Sequence, residues 1–293
     1  MQIKTFSVKI LTIVVILLPA VIAVADPIDC IKAGVESVHV PLGVYTLTET
    51  LDIPSNVHIY CTPGTVFEAA SGSFKGVNDS LITIKGLNNT IYDCKFTMRR
   101  EEYTEENGYP ISEYRHAISI EGAENTKLVG VTTENSGGDG VFVGPRITCL
   151  FSECRFPTKN LVIERLWSDS NRRTGLAIIS CVDCTIRDSV FANTKGTSTN
   201  AGLIIEPSHG GDQLVNILVT RNIARKNAGS GFRVNMDQQN QFSKPISITF
   251  TDNVSELVPE GHYDWVINRY AWNLNLSKPL GFIKWDKNIR TNP

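Results

Sequence analysis

The sequence predicts an all-β protein with the architecture of a parallel β-solenoid, and two observations support this prediction. The first is an internal repeat in which a glycine follows 15 positions after an asparagine. The second is a short β-rich run directly after each of these glycines. Three copies align without gaps, and a fourth, which begins at an aspartate, has four extra residues in its turn. The copies span residues 125–140, 160–175, 216–231 and 183–202.

The runs after the glycines are interpreted as strands. They are too short for amphipathic helices and are rich in Val, Ile, Leu and Phe. A unit of about 23 to 35 residues cannot bury its apolar side alone, so we expect neighbouring units to stack on one another. Stacked units would lie about 4.8 Å apart, and equivalent positions would form columns along the stack. The runs are Val141–Val143, Leu176–Ile179, Leu203–Ile205 and Phe232–Val234.

Short strand-like segments also precede and follow the four repeats. Residues 99–115 are polar and interrupt this series of strands, so they are predicted to form an excursion beside the stack. Trp265, Trp272 and Trp285 are predicted to cap the end of the core rather than to bind sugar. Further strand-like segments lie in Ser37–Phe67, Leu81–Ile84, Thr90–Phe96 and Ile246–Phe250.

The first residues predict a removable export signal. Two lysines precede the apolar run Ile10–Ala23, which ends in the small-x-small site Ala23-Val24-Ala25. The alternative is an uncleaved membrane anchor, which would need about 20 apolar residues. The expected organisation is a signal peptide over 1–25 and one β-helix domain over 26–293, with a repeat core of about 36–255 and a cap over 256–293.

Export predicts a secreted or periplasmic protein that is not attached to a membrane after signal cleavage. There, the seven cysteines are expected to form disulfides or to stay as buried single thiols. The alternative for four of them, Cys149, Cys154, Cys181 and Cys184, is a zinc site. A net charge of -2 predicts no nucleic-acid partner. The sequence does not indicate an oligomeric state.

The segments Val40–Leu47 and Ile53–Val57, together with the repeated glycine-terminated turns, resemble the pectin-lyase-like superfamily. The resemblance covers roughly residues 36–255 and implies a single-stranded, right-handed parallel β-helix with short turns and terminal caps. The superfamily includes glycosidases, pectate and alginate lyases, uronan epimerases, phage tailspikes and adhesins. The resemblance therefore implies a fold but no single activity.

Signature motifs of the better-marked enzyme subfamilies are missing. The sequence has no Asp-Asp pair of polygalacturonases, no Asp-Pro-His-Glu box of mannuronan epimerases and no Arg-x-Pro-x-x-Arg of pectate lyases. It is more similar to a group of exported β-helix proteins with an Asn-Arg-Arg turn and an Ile-Glu-Pro strand end. Asn171–Arg173 and Ile205–Pro207 match these two motifs. This resemblance implies action on polysaccharides.

The turn that carries two arginines is the first candidate site. Two and three residues before the turn glycine, one unit has Gly137 and Gly138, and the next unit has Arg172 and Arg173. We expect the bare glycine shelf beside two guanidinium groups to hold a carboxylated sugar, because a guanidinium matches a carboxylate in a bidentate way. The alternative is that aspartates of the same turns pair with the arginines.

Side chains near this shelf are the candidate catalytic groups. Asp139 and Asp169 belong to the same edge and are the preferred acid/base pair, and Lys195 is expected to fold over that edge. Asn171 and Asn200 are candidate substrate-binding residues. The structural alternative is a ladder of turn asparagines that satisfies backbone groups. Its expected members are Asn135, Asn171, Asn193 and Asn227.

A second candidate group follows the next strand. Alternation along the strand points Glu206 outward, near Arg233 of the following unit, with His209 shortly after. Glu206 is a candidate catalytic carboxylate, and Arg233 and His209 are candidates for substrate binding; a structural Glu206–Arg233 pair is the alternative. We expect Glu206 and Asp139 to lie beyond the roughly 10 Å limit for an inverting carboxylate pair.

The leading functional hypothesis is an exported enzyme that cleaves a polysaccharide along the side of the β-helix. A uronic-acid-containing polysaccharide is one candidate substrate. A hydrolase would use a carboxylic acid and a carboxylate base. A lyase would use Arg172 or Arg173 to neutralise a uronate, Lys195 as base, and calcium held by Asp139 and Asp169. No other cofactor is expected. The alternative is a non-catalytic adhesin or polysaccharide-binding surface protein.

Overall fold

The computed structural model describes residues 25–149, 154–257, 265–267 and 280–291. Apart from Ala25, the predicted signal peptide lies outside the described residues, and so does Trp272. The described chain opens with one α-helix, α1 (Pro27–Lys32), whose amino end is capped by Asp26 Oδ1 accepting from the Ile28 N–H at 2.8 Å. No helix in the described ranges is long and apolar enough to cross a membrane.

Three parallel sheets wind along one axis, and each rung contributes one strand to each sheet in turn. This is the predicted parallel β-helix. Sheet 1 has the described strands Ser37–Val40, His58–Cys61, Thr90–Tyr92, Lys127–Val129, Thr158–Glu164, Cys181–Arg187, Leu214–Thr220, Ile246–Thr251 and Gly281–Asp286. Sheet 2 has Val44–Leu47, Val66–Ala69, Lys95–Thr97, Thr132–Glu134, Trp167–Asp169, Val190–Ala192, Ile223–Arg225, Val254–Glu256 and Ile289–Thr291. Sheet 3 has Leu51–Ile53, Ile82–Ile84, Ile118–Glu121, Val141–Gly144, Thr174–Ile178, Ala201–Ile205, Phe232–Val234 and Trp265–Ile267.

Two segments leave the stack. Residues 99–115 lie between a strand of sheet 2 and a strand of sheet 3, as expected for an excursion, and contain the short 3-10 helix Arg100–Glu102. A small antiparallel hairpin pairs Arg146–Ile147 with Arg155–Phe156. The hairpin is closed by the Cys149–Cys154 disulfide.

The β-helix extends one rung past the core predicted from the sequence, which ended at residue 255. The last described strand of each sheet pairs in parallel with the rung before it, for example Gly281–Asp286 with Ile246–Thr251. Trp285 stacks on Phe250 with 3.9 Å between ring centroids. The aromatic tail residue is thus part of a further rung, because its strand continues the hydrogen-bonded ladder of sheet 1.

The strands of sheet 3 alternate between a buried interior and an outer face, in the predicted register. The inward residues Val141, Leu176, Leu203 and Phe232 are fully buried and stack in adjacent rungs. Phe142, Ala177 and Ile204 point outward, yet Ala177 and Ile204 are also fully buried. Together with Ala201 they form a small apolar cluster on the outer face of sheet 3, against which Phe142 packs.

The repeated glycines lie where successive rungs approach most closely. A Cβ on Gly175 would lie 2.5 Å from the carbonyl oxygen of Gly202, and a Cβ on Gly202 would lie 2.6 Å from that of Gly231. Real Cβ atoms do not approach a carbonyl so closely. Glycine is therefore required at Gly175 and Gly202, where the carbonyl of the next rung approaches this closely.

Asparagine ladders stabilise the turns. Asn56, Asn88, Asn125 and Asn160 are linked by Nδ2···Oδ1 hydrogen bonds of 2.8–3.0 Å on the surface, and all four have positive φ. A second ladder joins Asn222, Asn253 and Asn288, with Nδ2···Oδ1 distances of 3.0 and 2.9 Å. The asparagine that begins the sequence repeat is therefore a turn residue that adopts the left-handed conformation.

The predicted ladder of Asn135, Asn171, Asn193 and Asn227 is wrong as a single column. Asn135 and Asn193 have positive φ and share one column. Asn171 and Asn227 belong to the next column and are buried, where their Oδ1 atoms each accept a backbone N–H from the preceding rung at 3.1 Å. In the gap-free alignment Asn135 corresponds to Ser170 and Asn171 to Ser136, so the four asparagines occupy two adjacent positions of the repeat.

The cysteines are paired rather than arranged around a metal. Disulfides join Cys61 to Cys94, Cys149 to Cys154 and Cys181 to Cys184. Cys30 is the free thiol of the described chain. The alternative of a four-thiolate zinc site is contradicted, because its four members form two separate disulfides.

We predict that Gly175→Ala lowers the free energy of unfolding by roughly 1–3 kcal/mol, because the new methyl group would overlap the Gly202 carbonyl of the next rung. Gly43→Ala is the matched control, since its Cβ would make an ordinary contact at 3.4 Å with Tyr45. Urea unfolding of both variants measures the difference. Equal losses in the two variants would contradict the close-approach explanation.

Candidate functional site

The bare glycine shelf predicted from the sequence is covered. A Cβ on Gly137 would lie 2.5 Å from the ring of Tyr103, and one on Gly138 would lie 2.3 Å from the carbonyl oxygen of Glu113. Both neighbours belong to the excursion of residues 99–115. The glycines therefore make room for protein backbone and an aromatic ring, and the expected sugar site on the shelf is not formed.

Arg115 anchors the excursion. Its side chain is fully buried, and its guanidinium lies 5.5 Å from the ring centroids of both Tyr103 and Tyr109. Nε donates to the Phe74 carbonyl at 3.1 Å, and Nη2 donates to the Pro110 carbonyl at 3.0 Å. Burial lowers the pKa of Arg115. These contacts fix the neighbouring residue pair Glu113 and Tyr114 at the outer face of sheet 3.

Arg173 brings three carboxylates together. Its Nη2 donates to Glu206 Oε2 at 2.6 Å, its Nε to Glu113 Oε2 at 3.1 Å, and its Nη1 lies 3.4 Å from both oxygens of Asp139. Burial by itself lowers the pKa of Arg173, but the charges of Asp139, Glu206 and Glu113 outweigh burial and raise it above its ordinary value. The guanidinium is therefore permanently charged and occupied on every side.

Asp139 lies at the base of this cluster and is fully buried. Thr174 Oγ1 donates to its Oδ1 at 2.6 Å, and its own backbone N–H donates to His116 Nδ1 at 3.1 Å. His116 stacks on Phe142 with 4.7 Å between ring centroids. Burial lowers the pKa of His116, and the nearby charge of Asp139 opposes this only in part. His116 is accordingly neutral at pH 7.

The cluster opens into a groove of about 460 Å³ on the outer face of sheet 3. Glu113 and Glu206 reach it with side chains 35% and 23% exposed, whereas Asp139 borders it with no exposed surface. The residues that line the groove include four carboxylates and one guanidinium. The groove is lined by Glu113, Tyr114, Asp139, Phe142, Arg173, Ile179, Glu206, Pro207, Ser208, Asn235, Asp237 and Gln238.

Two distance expectations from the sequence are corrected here. Asp139 and Glu206 bind the same guanidinium, so their separation is below the roughly 10 Å limit that they were expected to exceed. The preferred pair of Asp139 with Asp169 is not formed. Asp169 Oδ1 instead accepts from Ser170 Oγ at 2.7 Å and from Asn193 Nδ2 at 2.9 Å. A calcium site held jointly by Asp139 and Asp169 therefore does not fit these residues.

The two adjacent arginines separate into different environments. Arg172 Nη1 donates to the Tyr103 carbonyl at 2.8 Å and its Nε to Thr197 Oγ1 at 3.2 Å. Together with Lys195 it lines a second pocket that shares no residue with the groove. The expectation that Arg172, Arg173 and Lys195 serve one site is therefore wrong, because consecutive side chains of the turn point to opposite sides.

The four predicted substrate-binding residues lie outside the groove lining. Asn171 is buried in the turn, and Asn200 Oδ1 accepts the Gly196 N–H at 2.8 Å. His209 is an exposed loop residue whose Nδ1 accepts the Gly211 N–H at 2.9 Å. The alternative Glu206–Arg233 pair is absent, since Glu206 binds Arg173 and Asn235 instead.

Sequence reasoning missed several residues of the site. Glu113, Tyr114 and His116 lie in or just after the excursion, where no repeat assigns a position. Asn235, whose Nδ2 donates to Glu206 Oε1 at 3.0 Å, did have a signal, because strand alternation places both in one outward column. Within the described ranges, no group of three or more His, Cys, Asp or Glu side chains could hold a metal ion.

Comparison with solved structures shows the same fold. The crystal structure of PfbA, a surface adhesin of Streptococcus pneumoniae, matches with a TM-score of 0.59 and 14% identity over 80% of this chain and 59% of that chain. Alginate lyase from Paenibacillus sp. matches with a TM-score of 0.53 and 12% identity over 89% of this chain and 93% of that chain. Tailspike gp49 of Acinetobacter baumannii bacteriophage Fri1, a capsular polysaccharide depolymerase, gives 0.52 and 16% over 79% and 43%.

These identities show the fold alone, which is the right-handed parallel β-helix. The predicted fold class is confirmed. This chain spans about three fifths of the adhesin chain and less than half of the tailspike chain. No protein-family model and no curated protein sequence matches it.

We predict that Arg173→Met lowers the free energy of unfolding by about 3–5 kcal/mol, because it leaves the buried carboxylate of Asp139 without its cation. Arg221→Met is the control: Arg221 forms two 2.8 Å bonds with Asp188 on the surface, where loss of a pair has little effect. Urea unfolding at neutral pH compares the two. A loss no larger than that of the control would show that Asp139 does not depend on Arg173.

We also predict a pH dependence of stability from His116. Its folded-state pKa is lowered, so the unfolded chain binds more protons, and stability falls as the pH drops below the unfolded value of about 6.5. The contribution to the slope is at most about 1.4 kcal/mol per pH unit. His116→Gln should remove this slope, whereas His209→Gln, at an exposed histidine, should retain it. Unfolding curves between pH 7 and pH 5 test the difference, and unchanged slopes in His116→Gln would contradict a buried neutral histidine.

Proposed function

We propose that this chain, which has the fold of the pectin-lyase-like β-helix proteins, hydrolyses a polysaccharide bound in the groove over sheet 3. The observation that carries the proposal is the convergence of Glu113, Asp139 and Glu206 on Arg173 at the base of an open groove. Two solved structures of similar fold, an alginate lyase and a capsular polysaccharide depolymerase, act on polysaccharides. That likeness supports the substrate class, and the carboxylate cluster supports the reaction.

The charge of the groove favours hydrolysis over uronate elimination. In a lyase, an arginine must be free to neutralise the carboxylate of the uronate. Arg173 already binds three carboxylates, and its side chain is only 13% exposed. Four carboxylates facing one guanidinium would also repel a uronate at the reacting position. The sugar at the cleavage point is therefore proposed to carry no negative charge.

Glu113 and Glu206 are the proposed catalytic pair. Both are held by one guanidinium, so they are less than roughly 10 Å apart, and both reach the groove. One, as carboxylic acid, protonates the leaving glycosidic oxygen; the other, as carboxylate, activates water or attacks the anomeric carbon. Asp139, which borders the groove but has no exposed surface, is a positioning residue that fixes Arg173. Asn235 orients Glu206 through its amide.

Aromatic side chains provide the sugar-contacting surface. Tyr114 is 51% exposed at one edge of the groove, and Phe142 lies in its floor. Rings of this kind present an apolar face to a pyranose while leaving its hydroxyl groups to polar neighbours. Ser208 and Asn235 supply such polar groups in the same lining. This combination is typical of a binding site for a neutral sugar.

The proposed location is extracytoplasmic, either secreted or periplasmic. Six cysteines of the described chain form three disulfides, which persist in oxidising compartments. The amino-terminal apolar run, which is typical of a signal peptide, also supports export.

We predict that Glu206→Gln and Glu113→Gln each lower kcat by roughly 100- to 10,000-fold, because each removes a proton-transfer group from the groove. The substrates are a panel of laminarin, dextran, xylan and chitosan, with alginate and polygalacturonate as anionic members. The measurements are the release of reducing ends and the ultraviolet absorbance of unsaturated uronate. Unfolding curves confirm that each variant is folded.

Glu164→Gln is the matched control. Glu164 binds Arg187 at 2.6 Å and is 21% exposed, nearly the same as Glu206 with Arg173, but it lies on sheet 1 away from the groove. Its activity should equal that of the wild type. Unsaturated products would assign a lyase, and glycan binding without any cleavage would assign an adhesin; either result overturns the proposed hydrolase.

A further inference from the structure

A second pocket of about 310 Å³ lies on the other side of the turn that carries the two arginines. It borders the same excursion as the groove, which contributes Arg100, Glu101 and Thr104 to the pocket but Glu113 and Tyr114 to the groove. The proposed hydrolysis does not use the pocket. Its lining is Arg100, Glu101, Thr104, Arg172, Lys195 and Gly196.

The pocket is cationic, with three basic side chains against one carboxylate. Among the residues that the structure describes, Arg172 donates only to neutral oxygens, those of Tyr103 and Thr197. Within the described residues, Lys195 forms no ion pair through its ammonium group. Arg100 donates to Glu101 through both Nε and Nη2, so this pair neutralises one of the three basic groups and leaves Arg172 and Lys195. Most of the positive charge is therefore free to meet an anion.

The cationic groups are held on a fixed frame. The N–H of Lys195 donates to the Asn171 carbonyl at 3.0 Å, and the N–H of Thr197 donates to the Arg172 carbonyl at 2.9 Å. Gly196 has φ of +139°, and a Cβ there would lie 2.9 Å from Arg172 Cγ. Glycine thus lets the enlarged turn close over the arginine. An anion would therefore meet Arg172 already positioned by its neighbours, which lowers the ordering entropy lost on binding.

We infer that this pocket binds an anionic substituent, a sulfate, phosphate or carboxylate group, of the same glycan whose backbone lies in the groove. A guanidinium fork together with an ammonium group matches such oxyanions. Arg172 and Arg173 are consecutive, so the two sites border one turn. The glycan is therefore neutral where it is cut and anionic at a neighbouring position. The assignment of the glycan rests on the proposed function, but the anion site does not.

The first test is direct anion binding by the full chain, measured by calorimetry at low ionic strength with sodium sulfate, sodium phosphate and sodium acetate as probes. Lys195→Met should weaken binding about tenfold or more, because it removes one charge-assisted contact. Lys159→Met, at an exposed lysine in a strand of sheet 1 that does not line the pocket, should bind as the wild type does. Arg172→Lys keeps the charge but loses the fork, and should weaken binding as well.

Tighter binding of sulfate and phosphate assigns an esterified substituent, whereas tighter binding of acetate assigns a carboxylate; both support the site. Absence of binding to the wild type, or equal binding by Lys195→Met and Lys159→Met, overturns it. Because the titration requires no turnover, its outcome is independent of whether the protein hydrolyses glycans.

The second test links the pocket to the groove. On a sulfated glycan that the wild type cleaves, Lys195→Met should raise KM about tenfold and leave kcat nearly unchanged, and the difference should vanish on the same glycan after desulfation. Glu206→Gln should lower kcat on both forms. An equal effect of Lys195→Met on the two forms would show that the anion site does not serve the substrate.

Discussion

The spacing between rungs is the constraint on which this molecule depends. In parallel sheets the backbones of successive rungs lie about 4.8 Å apart, and at the start of sheet 3 the carbonyl of one rung occupies the place where a Cβ of the rung before would lie. Only glycine is compatible with that approach. The same spacing turns residues that are distant in sequence into direct neighbours, so that Asp139, Arg173 and Glu206 meet although each belongs to a different rung.

Within this frame, Arg173 compensates for the burial of Asp139. A carboxylate with no exposed surface is costly unless it is paired, and here a guanidinium, the Thr174 hydroxyl and a neutral histidine surround it. The same guanidinium then extends to two partly exposed glutamates. One buried ion pair therefore fixes the relative positions of the groups that face the groove, which is the preorganisation that acid and base catalysis requires.

Two consecutive arginines experience opposite electrostatic environments. Arg173 points to the outer face of sheet 3, where carboxylates outnumber it, whereas Arg172 points to the turn, where its acceptors are neutral. The excursion of residues 99–115 produces the contrast, because it places Glu113 on one side and the Tyr103 carbonyl on the other. An acidic groove and a cationic pocket thus border a single turn, and both can contact one extended ligand.

The sequence alone determined the fold class, the glycine column and the inward register of sheet 3, because these follow from local periodicity. It also indicated Asp139, Arg173 and Glu206 as candidates, since each occupies a regular turn or strand position. Only the tertiary structure decided which of them meet. Asp169 was misplaced because it ends a strand of sheet 2, whereas Asp139 precedes a strand of sheet 3. Lys195 was misplaced because it lies in the enlarged turn, which has no counterpart in the other units. Glu113 and His116 were missed because the excursion has no repeat, and its path is set by the burial of Arg115 between two tyrosines rather than by any pattern along the chain.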